Sequence, residues 1–234
     1  MKNTKIVLVH GAFADGSGWG DVIHLLTQRG FDVTAVQNPL TSFDDDVATT
    51  RRVIDAQSDP VVLVGHSYGG AVITTAALDR PNVKALVYIA AFGPDEGDNL
   101  QALLEKYPSK IGTALVPDAA GFLYIDKKKF AEVFAADVSE RDLSILSSAQ
   151  KPVNSTTFGQ KFGTPAWKTI PSWYLVASED NAINPDLERM FAKRMSATTR
   201  EVKSSHVPFA SNPETVVDVI MAAADAVSPL AAAG

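Results

Sequence analysis

The sequence predicts an α/β fold built on a mainly parallel sheet of about six strands, with helices on both faces. Three observations predict it. Short apolar runs alternate with amphipathic segments along the chain. The runs are continuously apolar rather than alternating, as strands covered on both faces require. The rhythm also breaks once, in the middle of the chain, and then resumes.

The first strand is "KIVLVH", followed by a helix from Trp19 to Gln28. "FDVTAVQ" is the next strand and Asp45 to Gln57 the next helix. "PVVLVGH", the helix Ser67 to Leu78 and "VKALVYIAA" complete this half. From Pro94 to about Ile170 the pattern turns to short helices: Leu100 to Tyr107, Lys127 to Ala135, and Ser139 to Gln150 behind the capping box Ser139-x-x-Asp142. "TALVPDAAGFLYI" between the first two reads as a hairpin. The βα rhythm returns with "SWYLVAS", a helix near Pro185 to Met195, "TREVKS" and a helix from Pro213 to Val227. The expected division is therefore a core of residues 1–93 and 171–234, with an inserted, mostly helical cap at 94–170. The end, "SPLAAAG", reads as a frayed tail.

Composition narrows the function classes. At 234 residues and 46% hydrophobic content the chain can bury a full core as one domain with an insertion. A net charge of −6 leaves no basic footprint for nucleic acid or an anionic membrane surface, so a small molecule is the expected partner. The chain has no cysteine, and its four histidines show no paired ligand spacing, so neither a metal nor a cofactor is expected. The apolar run at the start, Ile6 to Val9, falls short of the about 7 to 15 residues of a secretory signal. No stretch approaches the about 18 apolar residues of a membrane span. These features point to the cytoplasm. Composition does not fix the oligomeric state, and a homodimer stays open.

The chemistry begins at "VVLVGHSYGG", where a buried strand ends in Gly65-His66-Ser67-Tyr68-Gly69. This is G-x-S-x-G, a strand reversing sharply into a helix with the serine at its tip. Glycines two positions either side remove side chains that would strike neighbouring backbone. The helix N-terminus behind Ser67 favours developing negative charge. A serine N-cap on a glycine-flanked turn would fit the same pattern taken alone.

A serine alcohol needs a base to take its proton. His206, in "VKSSHVPF" after the last strand, is the candidate; His10 ends a strand, His24 lies within a helix, and His66 is directed away from Ser67. The base in turn needs an acid to hold one tautomer. Asp180, three residues beyond the strand Trp173 to Ala177, fits best, with Glu179, Asp186 and Asp95 as competitors. The oxyanion donors are expected from backbone: the N–H of Ala12 or Phe13 in "HGAFADGSGW", with that of Tyr68. That loop lacks both G-x-G-x-x-G and the lysine of a phosphate-binding loop.

Taken together, "VLVHGAFADGSGW", "VVLVGHSYGG", "YIAAFGPDEG", "SED" with Pro185, and "SSHVPF" resemble the α/β-hydrolases over nearly the full chain. The closest likeness is to the branch of plant methyl esterases and hydroxynitrile lyases and their bacterial esterase relatives. The resemblance implies a Ser67, Asp180, His206 triad, a cap over the pocket, and small esters or cyanohydrins as substrates. The lyases carry a lysine directly after the histidine and a threonine after the first-strand His-Gly. Here those places hold Val207 and Ala12, which favours an esterase. A lysine from the cap, Lys161 or Lys168, is the one alternative cation. A cofactor-free haloperoxidase or perhydrolase, or a ligand-binding receptor with little turnover, would use the same residues. Phe122, Tyr124, Phe130, Phe134, Phe158, Phe162 and Trp167 are candidates to line an apolar acyl or alcohol pocket, but most of them are expected in the cap core. Lys127-Lys128-Lys129 reads as a solvated helix face.

Overall fold

The computed structural model describes residues 4–227; the tail "SPLAAAG" lies outside them. The strands β1 (Lys5–Val9), β2 (Asp32–Val36), β3 (Val61–Ser67) and β4 (Val83–Ala91) alternate with helices α1 (Gly20–Gln28), α2 (Phe43–Asp55) and α3 (Tyr68–Ala76). Every residue of β3 is buried, and in β4 only Lys84 is exposed, as their continuous apolar runs demand. The segment that follows holds α4 (Leu100–Lys106), β5 (Leu115–Pro117), β6 (Phe122–Ile125), α5 (Phe130–Phe134), α6 (Glu140–Ala149) and β7 (Val153–Asn154). Then come β8 (Ser172–Ala177), α7 (Pro185–Arg194), β9 (Thr198–Val202), α8 (Pro208–Ser211) and α9 (Pro213–Val227).

Six strands form one sheet in the order β2-β1-β3-β4-β8-β9, and every pairing in it is parallel. The chain leaves β1 towards one edge and returns through β3 towards the other. A crevice opens outside the carboxyl ends of the strands at such a reversal, which is where parallel sheets bind ligands. Here the residues at its lip are those after β1, Ala12 and Phe13, and the last residue of β3, Ser67.

The middle segment is less helical than its sequence suggests. The expected hairpin is present as β5 and β6, but β7 joins it to make a three-stranded antiparallel sheet. The helix expected from Lys127 starts only at Phe130, because the Asp126 side chain accepts the Lys128 N–H at 2.9 Å and turns the chain. Lys127, Lys128 and Lys129 are exposed on that turn rather than on a helix face. In α6 the Ser139 hydroxyl accepts the Asp142 N–H at 3.1 Å, the expected cap. The first helix likewise starts one residue later than expected, at Gly20, after a short 3₁₀ turn over Gly16–Trp19.

Candidate active site

Ser67 stands at φ 53°, ψ −126°, a conformation that a non-glycine residue adopts only under constraint. Such strain costs on the order of 1–3 kcal/mol and persists where packing over-determines it. The packing is visible at the flanking glycines. A Cβ on Gly65 would sit 2.6 Å from the Gly69 carbonyl oxygen, and one on Gly69 would sit 2.5 Å from that of Val9. Any side chain at either position would push the elbow apart.

The loop after β9 brings His206 to this serine. Ser67 Oγ lies 2.8 Å from His206 Nε2, and His206 Nδ1 lies 2.5 Å from Asp180 Oδ2. Asp180 is itself fixed, since its Oδ1 accepts the N–H groups of Ala182 at 2.6 Å and Ile183 at 2.9 Å. That arrangement leaves Oδ2 for the imidazole. With Nδ1–H donating to the carboxylate, Nε2 is the acceptor for the serine hydroxyl. Ser67, Asp180 and His206 are 6%, 5% and 1% exposed, so bulk water screens this chain of bonds little.

The competing acids are engaged elsewhere. Asp95 pairs with Lys168 at 2.7 Å, Asp186 with Arg189 at 2.7 Å, and exposed Glu179 lies 3.5 Å from Lys203. Lys168 is thus held by a carboxylate. Neither it nor Lys161 lines the cavity above Ser67.

That cavity measures about 490 Å³. Ala12, Phe13, Ser67, Tyr68 and His206 form its floor, and the middle segment supplies Leu104, Ile111, Leu115 and Leu123 to its walls. Of the seven aromatic residues singled out in the sequence, only Phe134 and Phe158 reach it. Phe162 packs edge-on against Phe43, and the Trp167 indole N–H donates to the Pro94 carbonyl at 3.0 Å. Phe13 sits at φ 62°, and among the described residues neither its N–H nor that of Ala12 is spent on a protein acceptor.

Four supporting residues escaped the sequence reading. His66 is buried, its ring centroid 4.7 Å from that of His206, and its Nε2–H donates to the His206 carbonyl at 2.8 Å. Burial, followed by the adjacent His206, holds its pKa well below the usual histidine value, so it stays neutral. Asp137 accepts the Ser205 N–H at 3.0 Å and also the Ser205 hydroxyl. Burial pushes its carboxyl up, but the Ser205 hydrogen bonds outweigh that and keep it below the usual range. Glu188 is fully buried behind Asp180, accepting the Ala177 N–H at 3.0 Å. Burial first, then the charge of Asp180, raises its pKa well above the carboxylate range, so it is held as the neutral acid. Asp46 accepts the Tyr68 hydroxyl at 2.7 Å and the Leu40 N–H at 2.8 Å. No local motif announces any of these; each depends on what the fold brings alongside.

Comparison with known proteins identifies the family. Residues 6–219 match the family described as the alpha/beta hydrolase family. The chain belongs to that family. Methylesterase 2 of Arabidopsis thaliana is 27% identical over 96% of this chain and 97% of its own. The carbendazim hydrolyzing esterase of a Nocardioides species is 40% identical, over 44% of this chain and 48% of its own. Among solved structures, a pyrethroid hydrolase from Sphingobium faniae superposes with a TM-score of 0.83 at 23% identity, covering 96% of this chain and 98% of that one. The chain is thus similar to plant methylesterases over nearly its full length. No helix among the described residues is long and apolar enough to cross a membrane.

Proposed function

We propose that the protein is a carboxylic ester hydrolase that works through an acyl-enzyme on Ser67. The observation that carries this reading is the unbroken chain from Ser67 through His206 to Asp180, at the floor of an apolar cavity large enough for a small ester. As Ser67 Oγ attacks the acyl carbon, His206 Nε2 takes the hydroxyl proton, and Asp180 stabilises the imidazolium. The carbonyl oxygen becomes an oxyanion, received by the backbone N–H of Ala12 or Phe13 and that of Tyr68. Collapse breaks the ester C–O bond, and His206 returns the proton to the departing alkoxide, which leaves as an alcohol. Water then attacks the acyl-serine, gives a proton to His206, and the carboxylic acid leaves as Ser67 regains its hydrogen.

We read residues 94–170 as the cap that closes this cavity, and assign the reaction to the cytoplasm because the chain has no cysteine. Ester hydrolysis is favoured over cyanohydrin cleavage by the cavity lining, which includes no lysine among the described residues. Departing cyanide would there face apolar surface, where an anion is costly.

Turnover of a panel of short p-nitrophenyl esters, set beside mandelonitrile cleavage, tests the reading. Ser67→Ala should cost about a millionfold in kcat with the fold intact, and a fluorophosphonate should label Ser67 alone. Activity of the variant within about tenfold of the parent, labelling of another serine, or cyanide release as fast as ester turnover would overturn it.

A further inference from the structure

A second cavity of about 240 Å³ lies beside the first, between α6 and the loop after β1. Phe13 and Phe134 line both. Their rings meet edge-on with centroids 6.4 Å apart, so the two cavities are separated by one aromatic pair rather than by a layer of core. Phe209, Phe130, Leu146 and Ile145 give the second cavity an apolar side, and Asp15, Asp21, Arg141 and Asp142 ring it. Ile145 is 48% exposed, one of two large apolar side chains so exposed among the described residues, and it sits on this lip.

The wall also stands on a definite side of the reacting atoms. The Phe134 ring packs against the His206 ring at 4.9 Å between centroids, and Phe209, on the far cavity, follows His206 by three residues. His206 is the group that returns the proton to the departing alkoxide, so the alcohol part of a bound ester lies towards it. Phe13 holds its ring in the wall from a left-handed backbone that a bulky residue rarely adopts.

We propose that the second cavity is a subsite for the distal, uncharged apolar end of the substrate's alcohol group, with Phe13 and Phe134 as the partition that a long alcohol passes. This rests on the hydrolase reading above. Phe134 and Leu146 are then specificity-determining residues: one narrows the passage, the other shapes the chamber beyond it. The acidic rim, three carboxylates against one guanidinium, disfavours an anionic tail.

The test uses two ester series on the full chain, one with butyrate on alcohols from ethanol to octanol, the other with p-nitrophenol on acyl groups of the same lengths. Phe134→Ala should raise the octyl-to-ethyl ratio of kcat/KM in the alcohol series by about tenfold, and Leu146→Trp, which fills the chamber, should lower it by a similar factor. The acyl series should keep its profile in both variants. Because only ratios are read, a general loss from disturbing His206 does not imitate the effect, and Leu146→Trp decides the matter if Phe134→Ala fails to fold. An unchanged alcohol ratio in Leu146→Trp, or a shift confined to the acyl series, overturns the subsite while short-ester turnover leaves the hydrolase reading standing. Absence of turnover on every ester in the parent overturns both.

Discussion

His66 donates its Nε2–H to the backbone carbonyl of His206 at 2.8 Å, so the residue before the elbow serine holds the residue that faces it. The elbow and the histidine loop come from opposite ends of the chain and are joined by this bond as well as by the Ser67–His206 bond. His66 also packs against Trp19 and Phe209. One side chain thus ties the elbow to the loop that carries His206.

His66→Ala is expected to leave the His206 carbonyl unpaired and a void among three rings. The two effects together should cost about 2–5 kcal/mol of stability. Displacement of His206 by even about 1 Å can cost on the order of a hundredfold in turnover. Thermal melts and kcat measured on the same preparation check this. Wild-type values for both would show that the bond is incidental.

Asp180→Asn should lower kcat by about four orders of magnitude, since an amide can leave the imidazole in the wrong tautomer. Asp95→Asn and Glu179→Gln should lose little, because those carboxylates face Lys168 and Lys203. Steady-state kinetics on the three variants separate the cases. A collapse in Asp95→Asn would move the acid to the loop after β4.

Asp137→Ala removes both acceptors that hold Ser205, the neighbour of His206. The buried Ser205 N–H then lacks a partner, a cost of about 1–3 kcal/mol. Because Asp137 acts through the loop and not on substrate, kcat should fall while KM stays near the parent value. Asp137→Asn, which keeps one acceptor, should recover part of the loss. Equal damage in both variants, or a change in KM alone, would argue against a positioning role.

How far the sequence reaches can be judged from particular residues. Ser67, His206 and the all-buried strand β3 were legible because their signals are local: a glycine-flanked serine, a histidine after a strand, an unbroken apolar run. Asp180 was legible as the candidate acid by its offset from β8, where its Oδ1 accepts the Ala182 and Ile183 N–H groups and its Oδ2 faces His206. The cavity wall was not. Its aliphatic lining, Leu104, Ile111, Leu115, Leu123 and Ile183, comes from several short segments whose facing depends on how they fold over the sheet. Of the seven aromatic candidates, most of which were expected in the core, Phe134 and Phe158 line the cavity, while Phe162 packs on Phe43. Asp46, Asp137 and Glu188 read in sequence as ordinary acids; burial makes Asp46 and Glu188 otherwise, and the hydrogen bonds from Ser205 do so for the exposed Asp137.

The pH dependence of stability follows from four buried groups of opposing sign. His10 is held neutral: burial lowers its pKa to about 4, its Nδ1–H donates to the Gly11 carbonyl, and its Nε2 accepts the Asn38 N–H. His66 is likewise held well below the usual histidine value by burial. Both folded values lie below the usual 6.5, so the stability they contribute is complete above that pH and is lost as pH falls. For His10 the loss approaches about 3 kcal/mol by the time pH reaches its folded value. Asp46 runs the other way. Burial pushes it up to about 6, so its contribution is complete below the usual 3.8 and is lost as pH rises through about 6. Glu188 runs the same way as Asp46, its contribution present at low pH and lost as pH rises. On acidification from pH 6.5 to 4.5 the gain from Asp46 offsets a loss of similar size at His10, and the gain from Glu188 opposes the loss at His66. Asp46→Asn removes one of the two gains, so its Tm should fall more steeply on acidification than the parent's, with the two proteins differing most near neutral pH. Thermal melts at half-unit steps from pH 7 to 4.5 measure both slopes, and parallel curves for parent and variant would contradict this account of the buried groups.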